Sequence, residues 1–363
     1  MTVSKVSGSL WVALSVVLSG VTASAATPEA LVARFVESND FHGVVLVARD
    51  DGLLHYGAYG QADVEAGRST GLGTRYQLGS ISKYLASLVV LKLVDEGTLS
   101  LTRPISEYLP TYRKDVGGKV TLHHLLSHTS GVPNDLATAF RANREIAKEE
   151  LSTAAAVERY ASGALQFEPG SRFDYSHSNW ILVRAIIESA TGRTYEQNVQ
   201  RFLEPLKLKD TGIFSGDFSS AVPGSAMGYT SVRPQPARSS IPNPVFIACA
   251  GGAYSTATDL LTLSRALHAG KLVSPKALEQ LRTPYVADEG YSYGGRVKTL
   301  KLGGRDEVVA WHSGSNGPFK SRLSRVLSNG LTVILLSNTN ADLGKLATLT
   351  EELLQAISSE PKP

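Results

Sequence analysis

The fold is decided first by residues 41–59, which read FHGVVLVARDDGLLHYGAY. The runs Phe41–Arg49 and Leu53–Tyr59 are rich in β-branched and aromatic residues, which favour strands. Between them lies Asp50-Asp51-Gly52, an acidic-glycine sequence that is typical of a hairpin turn. The chain is therefore predicted to contain two neighbouring strands close to its start.

Further strands are predicted at the other end of the chain, between residues 291 and 338, where β-rich runs alternate with turns. These strands are Arg296–Leu302, Val308–His312, Phe319–Val326 and Leu331–Ser337. Residues from about 100 to 240 are instead mostly helical patches joined by Pro- and Gly-rich connections. This order predicts an α+β fold, an α/β sandwich whose antiparallel sheet is built from both chain ends.

Helices are predicted next to both groups of strands. Thr27 followed by Pro28 is a helix-start signal, and the apolar face of that helix continues to about Val36. A second helix is predicted over residues 256–268, where Thr256 and Asp259 resemble a capping box. A last helix is predicted over residues 342–357. The sheet is thus expected to be flanked by terminal helices.

Two subdomains follow from this arrangement. The sheet subdomain is predicted to comprise about residues 27–80 and 245–363, and an inserted, mainly helical subdomain about residues 81–244. Within the insert, residues 223–244 contain five prolines. This segment is expected to be an irregular surface excursion.

The first 25 residues resemble a secretory signal peptide. Lys5 is the one charge before an apolar stretch from Leu10 to Val21, and Ala23-Ser24-Ala25 supplies the small residues that a signal peptidase accepts. We therefore expect cleavage after residue 25 and a secreted or periplasmic protein without a membrane span in its mature form. An uncleaved anchor is the alternative, although the apolar stretch is short for a spanning helix.

Composition excludes several classes of protein. The 363 residues include 36 Lys+Arg and 33 Asp+Glu, a formal net charge of +3, which provides no concentrated basic field for nucleic acid. The single cysteine, Cys249, excludes an intrachain disulfide and a site with several thiolate ligands. It is expected to be a small buried residue.

The first candidate for chemistry is Ser80, in Gly79-Ser80-Ile81-Ser82-Lys83. Residues three apart share a helix face, so Lys83 is expected to stand beside Ser80. A serine hydroxyl needs a base to become a good nucleophile, and a helix start favours a developing oxyanion. The Ser-x-x-Lys spacing is weak by itself, because it recurs at Ser359 and Lys362.

Other motifs in the chain make the Ser-x-x-Lys spacing at Ser80 more specific. DYSHSN follows at residues 174–179, and WHSGS at residues 311–315 lies on a predicted strand. The set resembles the serine β-lactamase and penicillin-recognising D,D-peptidase family, particularly its class C β-lactamase-like branch, which includes esterases. Further matching segments are HLLSHTSG at 124–131, LVDEG at 93–97, LSL at 99–101 and GGAYST at 251–256.

This resemblance implies an acyl-enzyme at Ser80, with Lys83 and Tyr175 sharing the proton transfers. It also implies an oxyanion hole formed by the backbone N–H groups of Ser80 and Ser315. Neither a metal nor an organic cofactor is implied. The substrate-binding residues implied by the family pattern are His177, His312, Ser313, Gly314 and Ser315.

Two positions depart from the commonest pattern of this family. Tyr175-Ser176-His177 replaces Tyr-x-Asn, and histidine is bulkier than asparagine and sensitive to pH. His312 replaces the lysine of Lys-Thr-Gly, so it provides less permanent positive charge for a substrate carboxylate. Efficient penicillin hydrolysis is therefore less expected than the family name suggests.

Two further residue patterns are expected to have structural rather than functional roles. His123, His124 and His128 have metal-like spacing, but no nearby carboxylate completes a zinc protease motif. Scattered aromatics such as Trp180, Trp311 and Tyr254 are more often core than pocket lining.

Three functional hypotheses remain. The first is an exported serine hydrolase of β-lactams or D-amino-acid peptides, and the second is an esterase or amidase with the same machinery. The third is a penicillin-binding sensor or a weakly active relic. A conventional α/β-hydrolase is not expected, and no Walker-type sequence supports a nucleotide hydrolase. The expected partner is a small-molecule or peptide substrate, and the sequence does not determine the oligomeric state.

Overall fold

The computed structural model describes residues 27–359. The predicted signal peptide lies outside these residues. The strands of the described part are β1 Gly43–Ala48, β2 Leu53–Tyr59, β3 Gln61–Asp63, β4 Arg68–Ser69, β5 Tyr76–Gln77, β6 Gly212–Ile213, β7 Tyr229–Ser231, β8 Ala237–Arg238, β9 Ala253–Ser255, β10 Arg296–Leu302, β11 Arg305–Asn316, β12 Phe319–Val326 and β13 Thr332–Ser337.

The α-helices of the same residues are α1 Pro28–Asn39, α2 Ile81–Asp95, α3 Lys114–Gly117, α4 Leu122–Leu126, α5 Asp135–Ala142, α6 Thr153–Tyr160, α7 Ser178–Thr191, α8 Tyr195–Leu203, α9 Phe218–Ala221, α10 Ala248–Gly251, α11 Ala257–His268, α12 Pro275–Arg282 and α13 Leu343–Ser359. Among the described helices, none combines the length and the apolar composition that a membrane-spanning segment requires.

Six strands form the main antiparallel sheet, in the order β10-β11-β12-β13-β1-β2. The N-terminal hairpin is joined to the C-terminal strands by the pairing of β1 with β13, in which Gly43 lies opposite Ser337 and Ala48 opposite Thr332. Both chain ends therefore contribute to one sheet, and the predicted α+β fold is confirmed. The proposed subdomain boundaries remain predictions.

The main sheet separates two hydrophobic cores. Successive side chains of a strand point to opposite faces, so β1 contributes Val44 and Leu46 to one core and Val45 and Val47 to the other. We call the first the inner core; it contains α2 and the other helices of the middle of the chain. The second, the outer core, is closed by residues of α1 and α13. The expectation of terminal helices flanking the sheet is thus confirmed.

Several predicted boundaries agree with the structure, and one strand differs clearly. Strands β2, β10 and β12 have the predicted bounds, whereas β11 extends well beyond the predicted residues 308–312. Its first residues, Arg305 and Asp306, are exposed and polar, so hydrophobic patterning does not reveal them. The turn Gly303-Gly304, with φ values of 55° and 79°, instead lets Arg305 pair directly with Leu302.

Two local predictions need adjustment. Thr256 caps α11 by accepting from the Asp259 N–H at 3.1 Å, but the Asp259 carboxylate binds Thr211 and does not complete a capping box. The Pro-rich segment is not wholly an irregular surface excursion, because it contains the β7–β8 hairpin. Tyr229 of β7 is buried, and its hydroxyl accepts from the Val64 N–H at 2.9 Å.

Candidate active site

Helix α2 carries the predicted nucleophile at its N-terminal end. Its sequence is apolar on almost every side and most of its residues are buried, as expected for a central helix. Ser80 is the N-cap residue, but its side chain makes no capping hydrogen bond. The Ser80 hydroxyl is therefore available to other partners, and Lys83 follows one turn later on the same face.

The three predicted catalytic side chains meet at the Ser80 hydroxyl. Lys83 Nζ and Tyr175 OH each lie 3.1 Å from Ser80 Oγ. Lys83 is only 1% exposed, and its Nζ also donates to the Ala250 carbonyl at 2.9 Å. Nζ lies 5.0 Å from the centroid of the Tyr175 ring. Both side chains are therefore placed to exchange a proton with Ser80.

Ser82 fixes the turn that presents the nucleophile, a role that sequence reasoning did not identify. Its hydroxyl donates to the Gly79 carbonyl at 2.6 Å and accepts from the Ala253 N–H at 2.9 Å. The turn is thereby tied to β9. Gly79 has a φ of 51°, a conformation that favours glycine.

Strand β11 lies directly against this turn. A Cβ atom on Gly314 would overlap the Leu78 carbonyl oxygen, and one on Gly79 would lie 2.5 Å from Ser315 N. Only glycine permits such an approach of two backbones. The Ser315 amide is thus next to the turn that carries the nucleophile, and no backbone acceptor within residues 27–359 binds the Ser80 N–H. The oxyanion hole itself remains a prediction.

Asn134 holds the backbone around Tyr175. Its side-chain amide donates to the Tyr175 carbonyl at 3.0 Å, and its oxygen accepts from the His177 N–H at 3.0 Å. Asn134 precedes α5, and the sequence offers no signal that would single it out. The Tyr175 turn is therefore positioned by a residue 41 positions away.

His177 lies beside the catalytic residues. It is the N-cap residue of α7, and its ring centroid lies 5.5 Å from that of Tyr175. Burial, together with the positive charge of Lys83, lowers the pKa of His177 to about 3. Its Nδ1 atom is buried and has no partner within the described structure. A neutral imidazole with free hydrogen-bonding capacity is thus present next to Tyr175.

His312 is not brought together with the catalytic side chains. Its ring packs against that of Tyr84 at a tilt of 31°, with centroids 3.8 Å apart, and its Nδ1 lies 3.3 Å from the Gly294 carbonyl oxygen. A Cβ atom on Gly295 would overlap the ring. Burial lowers the pKa of His312 to about 3, so the ring is uncharged at neutral pH. Of its neighbours on β11, Ser313 is half-buried and Ser315 is exposed.

The other histidines with metal-like spacing have separate partners. His123 Nδ1 lies 2.7 Å from Tyr293 OH, and His124 Nδ1 accepts from the Thr121 N–H at 3.2 Å. Among residues 27–359, no group of three His, Cys, Asp or Glu side chains is arranged to hold a metal ion. Cys249 and Trp180 are fully buried, in agreement with their predicted core positions.

Comparison with known proteins agrees with this fold. The family model described as Beta-lactamase matches residues 28–356. The chain belongs to the beta-lactamase family. Members of the beta-lactamase family are serine hydrolases, and this chain is a serine hydrolase with Ser80 at the centre of its predicted site.

Individual relatives within and around the beta-lactamase family have different activities. Esterase EstB of Burkholderia gladioli is 34% identical over 208 residues, which cover 54% of this chain and 52% of the esterase. The penicillin binding protein from Bacillus halodurans has a TM-score of 0.77 at 23% identity, covering 88% of this chain and 98% of that one. The D-stereospecific amidohydrolase from Streptomyces sp. has a TM-score of 0.70 at 27% identity, covering 89% of this chain and 97% of that one.

Proposed function

We propose that this protein is an exported serine hydrolase that forms an acyl-enzyme at Ser80. Its substrates are small esters or amides without a carboxylate beside the scissile bond. The reaction rests on the contacts of Ser80 Oγ with Lys83 and Tyr175, each 3.1 Å long. The substrate class rests on His312, which is buried and uncharged.

Acylation begins with attack of Ser80 Oγ on the substrate carbonyl carbon. The serine proton passes to the Lys83–Tyr175 pair, and the pair then protonates the departing alcohol or amine. Water attacks the acyl-enzyme in the second half, its proton passes to the same pair, and Ser80 Oγ recovers a proton as the carboxylic acid leaves. The backbone N–H groups of Ser80 and Ser315 would stabilise the oxyanion in both halves.

The strand motif has an uncharged histidine at position 312, and this favours neutral substrates. A lysine at position 312 would offer a permanent cation to a substrate carboxylate, whereas the ring of His312 is covered by Tyr84 and Gly295. His177 is also uncharged at neutral pH. The names of two relatives, an esterase and an amidohydrolase, agree with this substrate class.

A direct test compares substrates on the mature protein. We expect rapid hydrolysis of a short-chain nitrophenyl ester and slow or absent acylation by a penicillin. Intact-mass spectrometry of the protein measures the acylation. Ser80→Ala should lower kcat/KM for the ester at least about 1000-fold. Ser359→Ala is the matched control, because Ser359 has the same spacing to a lysine but is exposed. Retained activity of Ser80→Ala would exclude the mechanism.

The second candidate is hydrolysis of β-lactams or D-amino-acid peptides. One observation favours it: β10 pairs with β11 only as far as Trp311, so residues 313–316 are not covered by β10. Such a free edge can bind an extended peptide as an additional strand. Release of D-alanine from a peptide ending in D-Ala-D-Ala, faster than ester hydrolysis, would favour this candidate. A penicillin adduct that persists without ester turnover would instead favour a sensor.

Export is supported by the sequence of residues 1–25 alone. The proposal is tested by expressing the full chain in a Gram-negative bacterium and determining the N-terminal residue of the protein released from the periplasm. We expect Ala26 as the first residue. A protein that retains Lys5 in the membrane fraction would contradict cleavage and favour the anchor.

A further inference from the structure

We propose that His128 is a positioning residue that holds the Tyr175 ring in place against Ser80. The proposal rests on the acyl-enzyme chemistry proposed above and adds a residue to it. His128 belongs to the segment HLLSHTSG and lies between α4 and α5. It does not touch Ser80 and would act through Tyr175.

The first observation is a ring stack beneath the catalytic tyrosine. The centroids of the His128 and Tyr175 rings lie 4.3 Å apart, with an angle of 23° between the planes. His128 is 0% exposed, whereas Tyr175 is only half-buried. The buried ring therefore provides a flat support for a side chain that would otherwise be free to turn towards solvent.

The second observation is a pair of backbone hydrogen bonds that enclose Tyr175. The His128 carbonyl accepts from the Asp174 N–H at 2.9 Å, and His128 Nδ1 accepts from the Ser176 N–H at 3.0 Å. His128 thus binds the residues immediately before and after Tyr175, one through its backbone carbonyl and the other through its ring. Together with the stack, these bonds fix both the position of the Tyr175 backbone and the plane of its ring.

His128 is itself held in an uncommon conformation. Its φ of 58° lies in the left-handed region, which costs energy for a residue with a side chain. Its ring is enclosed by Trp180, whose Nε1 lies 3.2 Å from His128 Nε2, and by Tyr291, with ring centroids 5.2 Å apart. A strained residue that persists in the catalytic centre is a candidate for function.

The arrangement requires an uncharged imidazole. Two N–H groups point at the ring, and a neutral imidazole has one lone pair with which to accept from one of them. A protonated ring could accept from neither. The charged or titratable groups around it are Lys83 on α2, Tyr175, His177, Tyr291 and Arg296 on β10. Burial and the cations among them lower the pKa of His128 well below its usual value.

Three variants separate positioning from simple structural support. His128→Asn tolerates a left-handed backbone and keeps an acceptor but removes the stack. His128→Phe keeps a flat ring but leaves the Ser176 N–H without its acceptor. Trp180→Phe is the control, because it removes the second partner of the His128 ring but keeps the Tyr175 stack and the bond from the Ser176 N–H. Folding of each variant is checked by circular dichroism and thermal unfolding.

We expect both His128 variants to lower kcat for a short-chain nitrophenyl ester by about 10- to 100-fold, with little change in KM. The pH profile of kcat should shift in these variants, because the environment of Tyr175 changes. Trp180→Phe should stay close to the wild type in kcat and in pH profile. Equal kcat values for all folded variants would overturn the proposal.

A structural readout keeps this test independent of the substrate. If the wild type hydrolyses no ester, the proposed function fails, but the positioning role can still be examined in a crystal structure of His128→Asn. We expect Tyr175 OH to lie out of hydrogen-bond range of Ser80 Oγ in that variant. A Tyr175 hydroxyl that keeps its 3.1 Å contact would overturn the positioning role.

Discussion

The inner and outer cores lie on opposite faces of the same sheet, yet they serve the catalytic centre differently. The inner core contains α2, which presents Ser80 and Lys83, and it adjoins the contact between β11 and the nucleophile turn. The outer core joins the sheet to α1 and α13 and contains none of the residues that contact Ser80.

The difference lies in what each face can tolerate. At the inner face, the backbones of Gly79 and Ser315 approach so closely that a methyl group does not fit. At the outer face, the contacts are between aliphatic side chains such as Val333 and Leu349, which can adjust their rotamers. We therefore expect inner-face changes to affect activity and outer-face changes to affect stability alone.

Among changes that compare the two faces, the largest effect is expected from Gly314→Ala. The added Cβ would overlap the Leu78 carbonyl oxygen, so β11 must move away from the nucleophile turn. We expect kcat/KM to fall at least about 100-fold, because displacements near 1 Å have effects of this size. Gly73→Ala is the matched control, since no atom lies within 4 Å of its added Cβ. Equal kcat/KM values for the two variants would remove the distinction between the faces.

A matched pair of leucine truncations sharpens the comparison. Leu88 on α2 is 0% exposed in the inner core, and Leu349 on α13 is 1% exposed in the outer core. Each Leu→Ala change should lower the free energy of unfolding by about 2–5 kcal/mol. Urea unfolding measures this loss, and ester kinetics measure kcat of the folded fraction. Only Leu88→Ala should lower kcat; a lower kcat for Leu349→Ala would contradict the separation.

The free energy of unfolding should also depend on pH, because His312 is buried on the inner face. Its pKa is about 3 in the folded protein and 6.5 without burial, so the unfolded chain takes up the proton first as the pH falls. Its contribution is complete above pH 6.5 and is lost as the pH falls towards 3.

This loss amounts to about 1.4 kcal/mol per pH unit for one such group. His312→Gln should reduce the slope of unfolding free energy against pH by that amount between about pH 6 and pH 4.5. Urea titrations at several pH values measure both slopes. Parallel slopes for wild type and variant would mean that the folded protein protonates His312.

The smallest effect is expected at the surface of the outer face. Arg34 on α1 and Glu352 on α13 form an ion pair of 3.2 Å, with side chains 63% and 41% exposed. Solvent and salt screen such pairs, so Arg34→Ala should change the free energy of unfolding by less than about 0.5 kcal/mol. Thermal unfolding at low and high salt checks this. A loss above 1 kcal/mol that disappears in high salt would give the outer face an electrostatic role.

Sequence reasoning named the side chains that meet at Ser80 Oγ but not the residues that hold them in place. Ser80 and Lys83 are three apart on one helix, so their proximity follows from helix geometry. The place of Tyr175 came from a family resemblance, and the structure puts its hydroxyl at the nucleophile. The supporting contacts of Ser82 and Asn134 were not predicted, because common polar residues carry no spacing signal for long-range hydrogen bonds.

The sequence by itself determined the strands near the two chain ends and the spacing that places Lys83 beside Ser80. These features are local, since they depend on hydrophobic period and on spacing within single elements. Only the tertiary structure decided that His312 is buried against Tyr84, that Asn134 holds the Tyr175 turn, and that β11 touches the nucleophile turn. Burial and charge state depend on what distant segments place around a side chain, and no local pattern encodes this.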